Sequence, residues 1–132
     1  MSIELQVLTL CGLLTIVLMI AMALAMNLSL GPRYLAGPRD EPRPPRGVAG
    51  RLHRAWHNHI EALAVFTAGV VAVELSGANS SSTSAAAQAF LVARIAYAPA
   101  YVAGVPYLRS LIWAVGFGAT AVLFWAALGW KG

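Results

Sequence analysis

The sequence predicts an all-α integral membrane protein, a four-helix antiparallel bundle, on three observations. Its 132 residues are 59% hydrophobic and only 11% charged, too few polar groups to coat a soluble domain of that size. The apolar residues gather in four blocks, each close to the roughly 20 residues that cross about 30 Å of hydrocarbon. The basic residues concentrate in one loop between blocks. These blocks use most of the chain, so a single domain over residues 1–132 is the expected unit.

The first helix is expected over residues 5–30. It is not read as a signal peptide. No basic segment precedes it, Glu4 is acidic, and its apolar run exceeds a usual signal core despite the small residues Ala21, Ala23 and Ala25. Gly31-Pro32 ends it, since proline lacks an N–H and disfavours helix in the residue before it. Residues 31–50 carry five prolines, four glycines and Arg33, Arg39, Arg43 and Arg46, which reads as a solvated, extended loop. The second helix is expected over 51–75, polar in its first third and then apolar up to Glu74. A serine-rich turn leads to a third helix over 85–103. Gly104 and Pro106 mark a tight link to a fourth over 107–130, where Trp113, Trp125 and Trp130 are expected as interface anchors.

The first connection holds five arginines if Arg51 is counted, the second has no charge, and Arg109 flanks the third. The positive-inside rule therefore puts the first and third connections in the cytoplasm and both termini outside it. The net charge of +4 is thus read as topogenic, and no nucleic-acid partner is expected. Cys11 stands alone within an apolar block, which supports neither a disulfide nor a zinc site.

Ionisable groups at membrane depth face a partner or a wet cavity. Glu61 lies about ten residues, or roughly 15 Å, into the second helix, and Arg94 lies a similar distance back along the third. An antiparallel pair sets them level, so a Glu61–Arg94 ion pair is expected, within or between subunits. The same arithmetic sets Asn58 near Tyr97 and Arg54 near Tyr101. Arg54, Asn58 and Glu61 share one helix face, as do Arg94, Tyr97 and Tyr101. Arg109 and Ser110 start the fourth helix, where they can close the mouth of such a pocket. A purely structural role for the buried pair stands beside the pocket reading, with interhelical hydrogen bonds worth about 0.6 kcal/mol on average. Arg51 is read as a juxtamembrane topogenic charge, and Glu74 as a snorkelling or solvated carboxylate near the outer end. His53 and His57 are the only i,i+4 histidine pair, His59 points elsewhere, and no metal is expected.

The segment Arg54-Ala55-Trp56-His57-Asn58-His59-Ile60-Glu61-Ala62 resembles the second-helix motif of the MAPEG family, the membrane-associated proteins of eicosanoid and glutathione metabolism. Arg94-Ile95-Ala96-Tyr97-Ala98-Pro99-Ala100-Tyr101, followed by Arg109-Ser110 and Trp113, is similar to its third and fourth helices. The likeness is to microsomal glutathione S-transferase-like members, in a prokaryotic form, and covers nearly the whole chain. It implies a homotrimer in the lipid bilayer (an inner or cytoplasmic membrane, if bacterial). It also implies a glutathione cosubstrate between neighbouring subunits, on the cytoplasmic side.

By position, Arg54, His57, Asn58 and Glu61 would hold the tripeptide with Tyr97 and Tyr101. Arg94 would orient Glu61. Arg109 would stabilise the thiolate with help from Ser110. His57 stands where many enzymatic members carry arginine, Tyr97 where one prostaglandin-forming branch has histidine, and Trp113 where some relatives have tyrosine. The implied activity is a glutathione transferase or peroxidase acting on a hydrophobic or lipid-like small molecule. The alternative is a non-catalytic lipid-binding or scaffold protein of the same fold. A small transporter or channel subunit is disfavoured by the few helices and the lack of an inverted repeat.

Overall fold

The structure is a computed structural model and describes residues 1–129. Its elements are α1 (Ile3–Leu30), α2 (Pro32–Ala36), α3 (Gly47–Ser76), α4 (Ser81–Ala103) and α5 (Leu108–Ala127). The four long helices are each long and apolar enough to cross a membrane, and the chain is an integral membrane protein. Trp130, expected as an interface anchor, lies outside the described residues.

Each helix end has a local cause. Ser2 caps α1 by accepting the Leu5 N–H, and Gly31, at φ 83°, closes the helix with its N–H on the Asn27 carbonyl. Gly77 ends α3 in the left-handed region that only glycine enters freely. Ser80 and Thr83 form a capping box ahead of α4, which begins at Ser81, inside the stretch expected to be a turn. The α4–α5 link is four residues, 104–107, and both ends of it have positive φ: Gly104 at 70° and Tyr107 at 65°.

The first connection is less open than the sequence suggests. Pro32 sits at the first helical position of α2, where its missing N–H goes unneeded. Arg39 closes that short helix by donating to the Leu35 carbonyl from Nη2 at 2.6 Å and Nε at 2.9 Å. The Tyr34 hydroxyl donates to the Glu41 carbonyl and accepts from the Arg43 N–H, at 2.8 and 2.9 Å. The Arg43 guanidinium lies 4.9 Å from the same ring. A tyrosine thus organises a loop whose prolines alone argue for extended chain.

Long-range contacts fix the up-down order. The start of α1 meets the end of α3 and the start of α4: Ser2 donates to Glu74, and Glu4 accepts from Thr83 Oγ1 at 2.5 Å and Ser84 Oγ at 3.1 Å. Glu4 is fully buried there. Glu74 also accepts from Asn79 Nδ2 at 2.8 Å, so it is a half-buried joint between α1, α3 and the following turn rather than a carboxylate left to solvent. This end is called the carboxylate end below, and the other the arginine end.

The core falls into two clusters. Near the carboxylate end, Val7, Cys11, Val70, Val73 and Leu123 surround a stacked Phe66–Phe90 pair, 3.8 Å between centroids. Near the arginine end, Leu18, Ala55, Tyr97 and Ala98 pack together. Between them lies a polar layer of His59, Thr15, Asn58 and Arg94. Outward, side chains such as Leu24, Leu28, Val92 and Leu111 are exposed, as lipid contact requires.

Gly69 lets α5 approach α3, since a Cβ there would lie 3.2 Å from Leu123 Cβ. That atom is fixed by the α5 backbone and cannot swing away. Gly69→Ala should therefore lower stability by about 1–3 kcal/mol, the usual cost of overpacking, read from thermal unfolding in detergent. The penalty should shrink in a Leu123→Gly background, which removes that Cβ, and equal penalties in the two backgrounds would contradict the contact.

Candidate functional site

The first third of α3 is polar on the face it turns to α4, and three contacts climb that seam. Arg51 Nη1 donates to the Val102 carbonyl at 3.0 Å. Arg54 Nε donates to the Tyr101 hydroxyl at 3.0 Å, as the antiparallel register predicts. Arg94 Nη1 donates to Asn58 Oδ1 at 3.1 Å. The last of these differs from expectation. Among the described residues no Glu61–Arg94 ion pair forms within the chain, and Nε and Nη2 of Arg94 have no partner although the residue is only 2% exposed. The cause is a competing attraction. The guanidinium lies 4.5 Å from the Tyr97 ring centroid, one turn further along α4, which sets it level with Asn58 and short of Glu61.

Two cavities open beside this seam. The smaller, about 440 Å³, sits at the arginine end between Arg51, Arg54, Tyr101 and Arg109, floored by the 104–106 link. Arg109 reaches it from the first turn of α5, its guanidinium 4.7 Å from the Tyr101 centroid, with Arg54 at 5.8 Å from the same ring. The larger, about 590 Å³, lies deeper between α3, α4 and α5. Asn58, Glu61 and Arg94 give it a polar corner, and its walls are apolar, including Phe90, Trp113 and Phe117. Arg54 and Asn58 are one helical turn apart on α3, so the charged cavity and the polar corner of the apolar one are neighbours.

Seven of the sequence's nine candidates thus meet on one seam or its cavities: Arg54, Asn58, Glu61, Arg94, Tyr97, Tyr101 and Arg109. Tyr97 is buried beneath Arg94 and lines neither cavity. His57 and Ser110 also line neither. His57 Nε2 lies 3.2 Å from His53 Nε2, and its ring meets Trp56 edge-on. Ser110 is exposed at the start of α5. Arg51, read from sequence as a topogenic charge, lines the smaller cavity. Its spacing of three from Arg54 was the available signal.

His59 turns away from both cavities and is buried against α1. The single Thr15 hydroxyl proton goes to the Cys11 carbonyl at 2.8 Å, so the 2.9 Å contact with His59 Nε2 has the imidazole as donor. That pairing favours the tautomer with the proton on Nε2, and Nδ1 has no partner among the described residues.

The arrangement can bind an anion of several charged groups at the arginine end and an apolar group beside it. Comparison with known protein families matches residues 6–129 to the MAPEG family. No curated protein and no solved structure matches.

Because Asn58 is the only hydrogen-bond partner of the buried Arg94 fork among the described residues, Asn58→Leu should cost about 1.5–3 kcal/mol of stability. Asn58→Leu with Arg94→Met should recover most of that loss, since the stranded charge is gone. Denaturant titration in mixed micelles reads both, and a double variant as unstable as the single one would contradict the assignment.

Proposed function

The chain belongs to the MAPEG family, and from that premise we propose a membrane-embedded glutathione-dependent transferase or peroxidase that works at the cytoplasmic side of the bilayer. The observation that carries the reading is the adjacency of a cavity ringed by Arg51, Arg54 and Arg109 to an apolar cavity with Glu61 and spare Arg94 donors at its corner. Glutathione has two carboxylates, one ammonium and one thiol, and those groups need this mixture of partners. Arginine forks suit carboxylates through paired charge-assisted hydrogen bonds.

In this reading Arg54, Asn58, Glu61, Arg94, Tyr97 and Tyr101 hold glutathione or the residues around it. Glu61 faces its ammonium, and Arg109 faces the sulfur. A free thiol ionises near pH 8.5, and a fixed cation beside it favours the thiolate, releasing the proton to solvent. Arg109 comes from α5 and touches the Tyr101 ring without an acidic partner in the cavity lining, which leaves its charge available for that task. Ser110, next along α5, assists at the sulfur, and His57 contributes at the outer edge of the site. The thiolate then attacks a molecule that entered the larger cavity from lipid. At an electrophilic carbon it forms a C–S bond as the leaving group departs with its electron pair. At the terminal oxygen of a hydroperoxide it breaks the O–O bond, releasing the alcohol after protonation and leaving a glutathione sulfenic acid. A second glutathione converts that acid to the disulfide and water.

The homotrimer belongs to the same proposal, with a neighbouring subunit covering part of the exposed apolar surface and closing the site. So does the topology, with the loop of arginines in the cytoplasm and both termini outside it.

Isothermal titration of the detergent-solubilised protein should show glutathione binding, and no heat at millimolar ligand would sink the proposal. Arg109→Ala should keep binding but remove the ultraviolet thiolate band that appears on complex formation. An unchanged band would strip Arg109 of its role and favour the non-catalytic, lipid-binding alternative, whose support is the apolar character of the larger cavity.

A further inference from the structure

Arg51 has no part in the resemblance, yet it is one of three guanidinium groups around a space of about 440 Å³ whose described lining holds no carboxylate. Like charges gathered around one cavity repel each other and draw an anion. The position of Arg51 is not that of a loose surface side chain. Its Nη1 donates to the Val102 carbonyl at the end of α4, where helix carbonyls lack intrahelical partners and carry partial negative charge. Gly104 lies directly beside it, and a Cβ there would sit 3.3 Å from Nη1. A bare α-carbon, already required by a φ of 70°, thus makes room for the guanidinium. One of the five N–H donors of Arg51 is used in this anchorage, and the rest of the fork is available to the cavity.

Distance along α3 then selects what the fork would meet. Arg51 precedes Glu61 by ten residues, roughly 15 Å of helix. A three-residue peptide extends over about 10 Å, and the arginine side chain covers the remainder. With the γ-glutamyl ammonium at Glu61, the far end of glutathione is its glycyl carboxylate, and that end falls at Arg51. His57 is nearer in sequence to the expected site, but it faces His53 and lines neither cavity.

We propose that Arg51 is a further glutathione-binding residue, one that holds the glycyl carboxylate and makes the protein selective for a free carboxylate at that end. The proposal rests on the glutathione reading above and adds to it a residue, an orientation and a selectivity.

The test is titration of the full-length protein in detergent with glutathione and with its glycyl monoethyl ester, in the native chain, Arg51→Gln and Arg51→Lys. Arg33→Gln, on α2 and outside both cavities, controls for net charge. The native chain should bind the ester about 10- to 100-fold more weakly than the acid, the range for losing a hydrogen bond to a charged group. Arg51→Gln should lose a similar factor for the acid and bind acid and ester alike. Arg51→Lys should restore part of the preference, as a point charge without the fork, and it serves as the test variant if Arg51→Gln does not fold. Arg33→Gln should match the native chain. Undiminished discrimination in both Arg51 variants would overturn the proposal while leaving glutathione binding intact. A native chain that binds neither compound would instead overturn the glutathione reading, and this proposal with it.

Discussion

A guanidinium 2% exposed inside a helix that spans hydrocarbon sets the terms for the middle of this bundle. Charge at that depth is tolerated only beside partners or a polar space, and Arg94 has both. The Tyr97 ring, Asn58 Oδ1 and the corner of the larger cavity surround it. The apolar core is divided by this layer into a Phe66–Phe90 cluster and a Leu18–Tyr97 cluster. The same layer brings His59 to Thr15, so α1 joins by a hydrogen bond at the level where α3 and α4 do. A layer of polar contacts gives helices in lipid a register that greasy surfaces alone do not supply.

The two ends of the bundle solve complementary problems. At the carboxylate end Glu4 and Glu74 are met by hydroxyl and amide donors, with no described cation in contact. At the arginine end three cations line a cavity with no described carboxylate. The first arrangement is closed and self-satisfied, as a structural joint should be. The second leaves its charge unspent, as a binding site should. The glutathione reading follows that asymmetry, and it places chemistry where the protein has charge to offer.

Fold class was legible because hydropathy and loop charge act over whole segments, and the positions of the four long helices follow from them. The Arg54–Tyr101 contact was legible for a related reason: antiparallel helices with a short turn have a fixed register, and depth can be counted. The Glu61–Arg94 pair does not form within the chain because counting gives the level of a Cα, whereas a long side chain moves its charge by a further turn when a ring offers it a seat. The place of Arg51 in the cavity lining was not legible because its anchorage depends on the Val102 carbonyl and on the bare α-carbon of Gly104, both about fifty residues away in sequence. Glu4 figured in the sequence only as an acidic residue at the start of the first apolar run. Its burial depends on Thr83 and Ser84, in the first turn of α4, a serine-rich stretch without apolar signal that reads as a turn. The order within residues 31–46 was hidden for a similar reason, since one Tyr34 hydroxyl organises it.

The four-residue link between α4 and α5 has a consequence for how such a chain can change over time. Tyr101 and Arg109 stand on either side of it, and their contact depends on the phase of one helix against the other. Inserting a single residue there would turn α5 by about 100°, carrying Arg109 out of the cavity and swinging Trp113 and Phe117 away from the wall they form. The loop between α2 and α3 has no such coupling, because no residue of 37–46 lines either cavity. Length variation among descendants of this sequence should therefore collect in residues 37–46 and avoid 104–107, and a lineage that did lengthen the shorter link would have to bring its third cation to the cavity from another helix face.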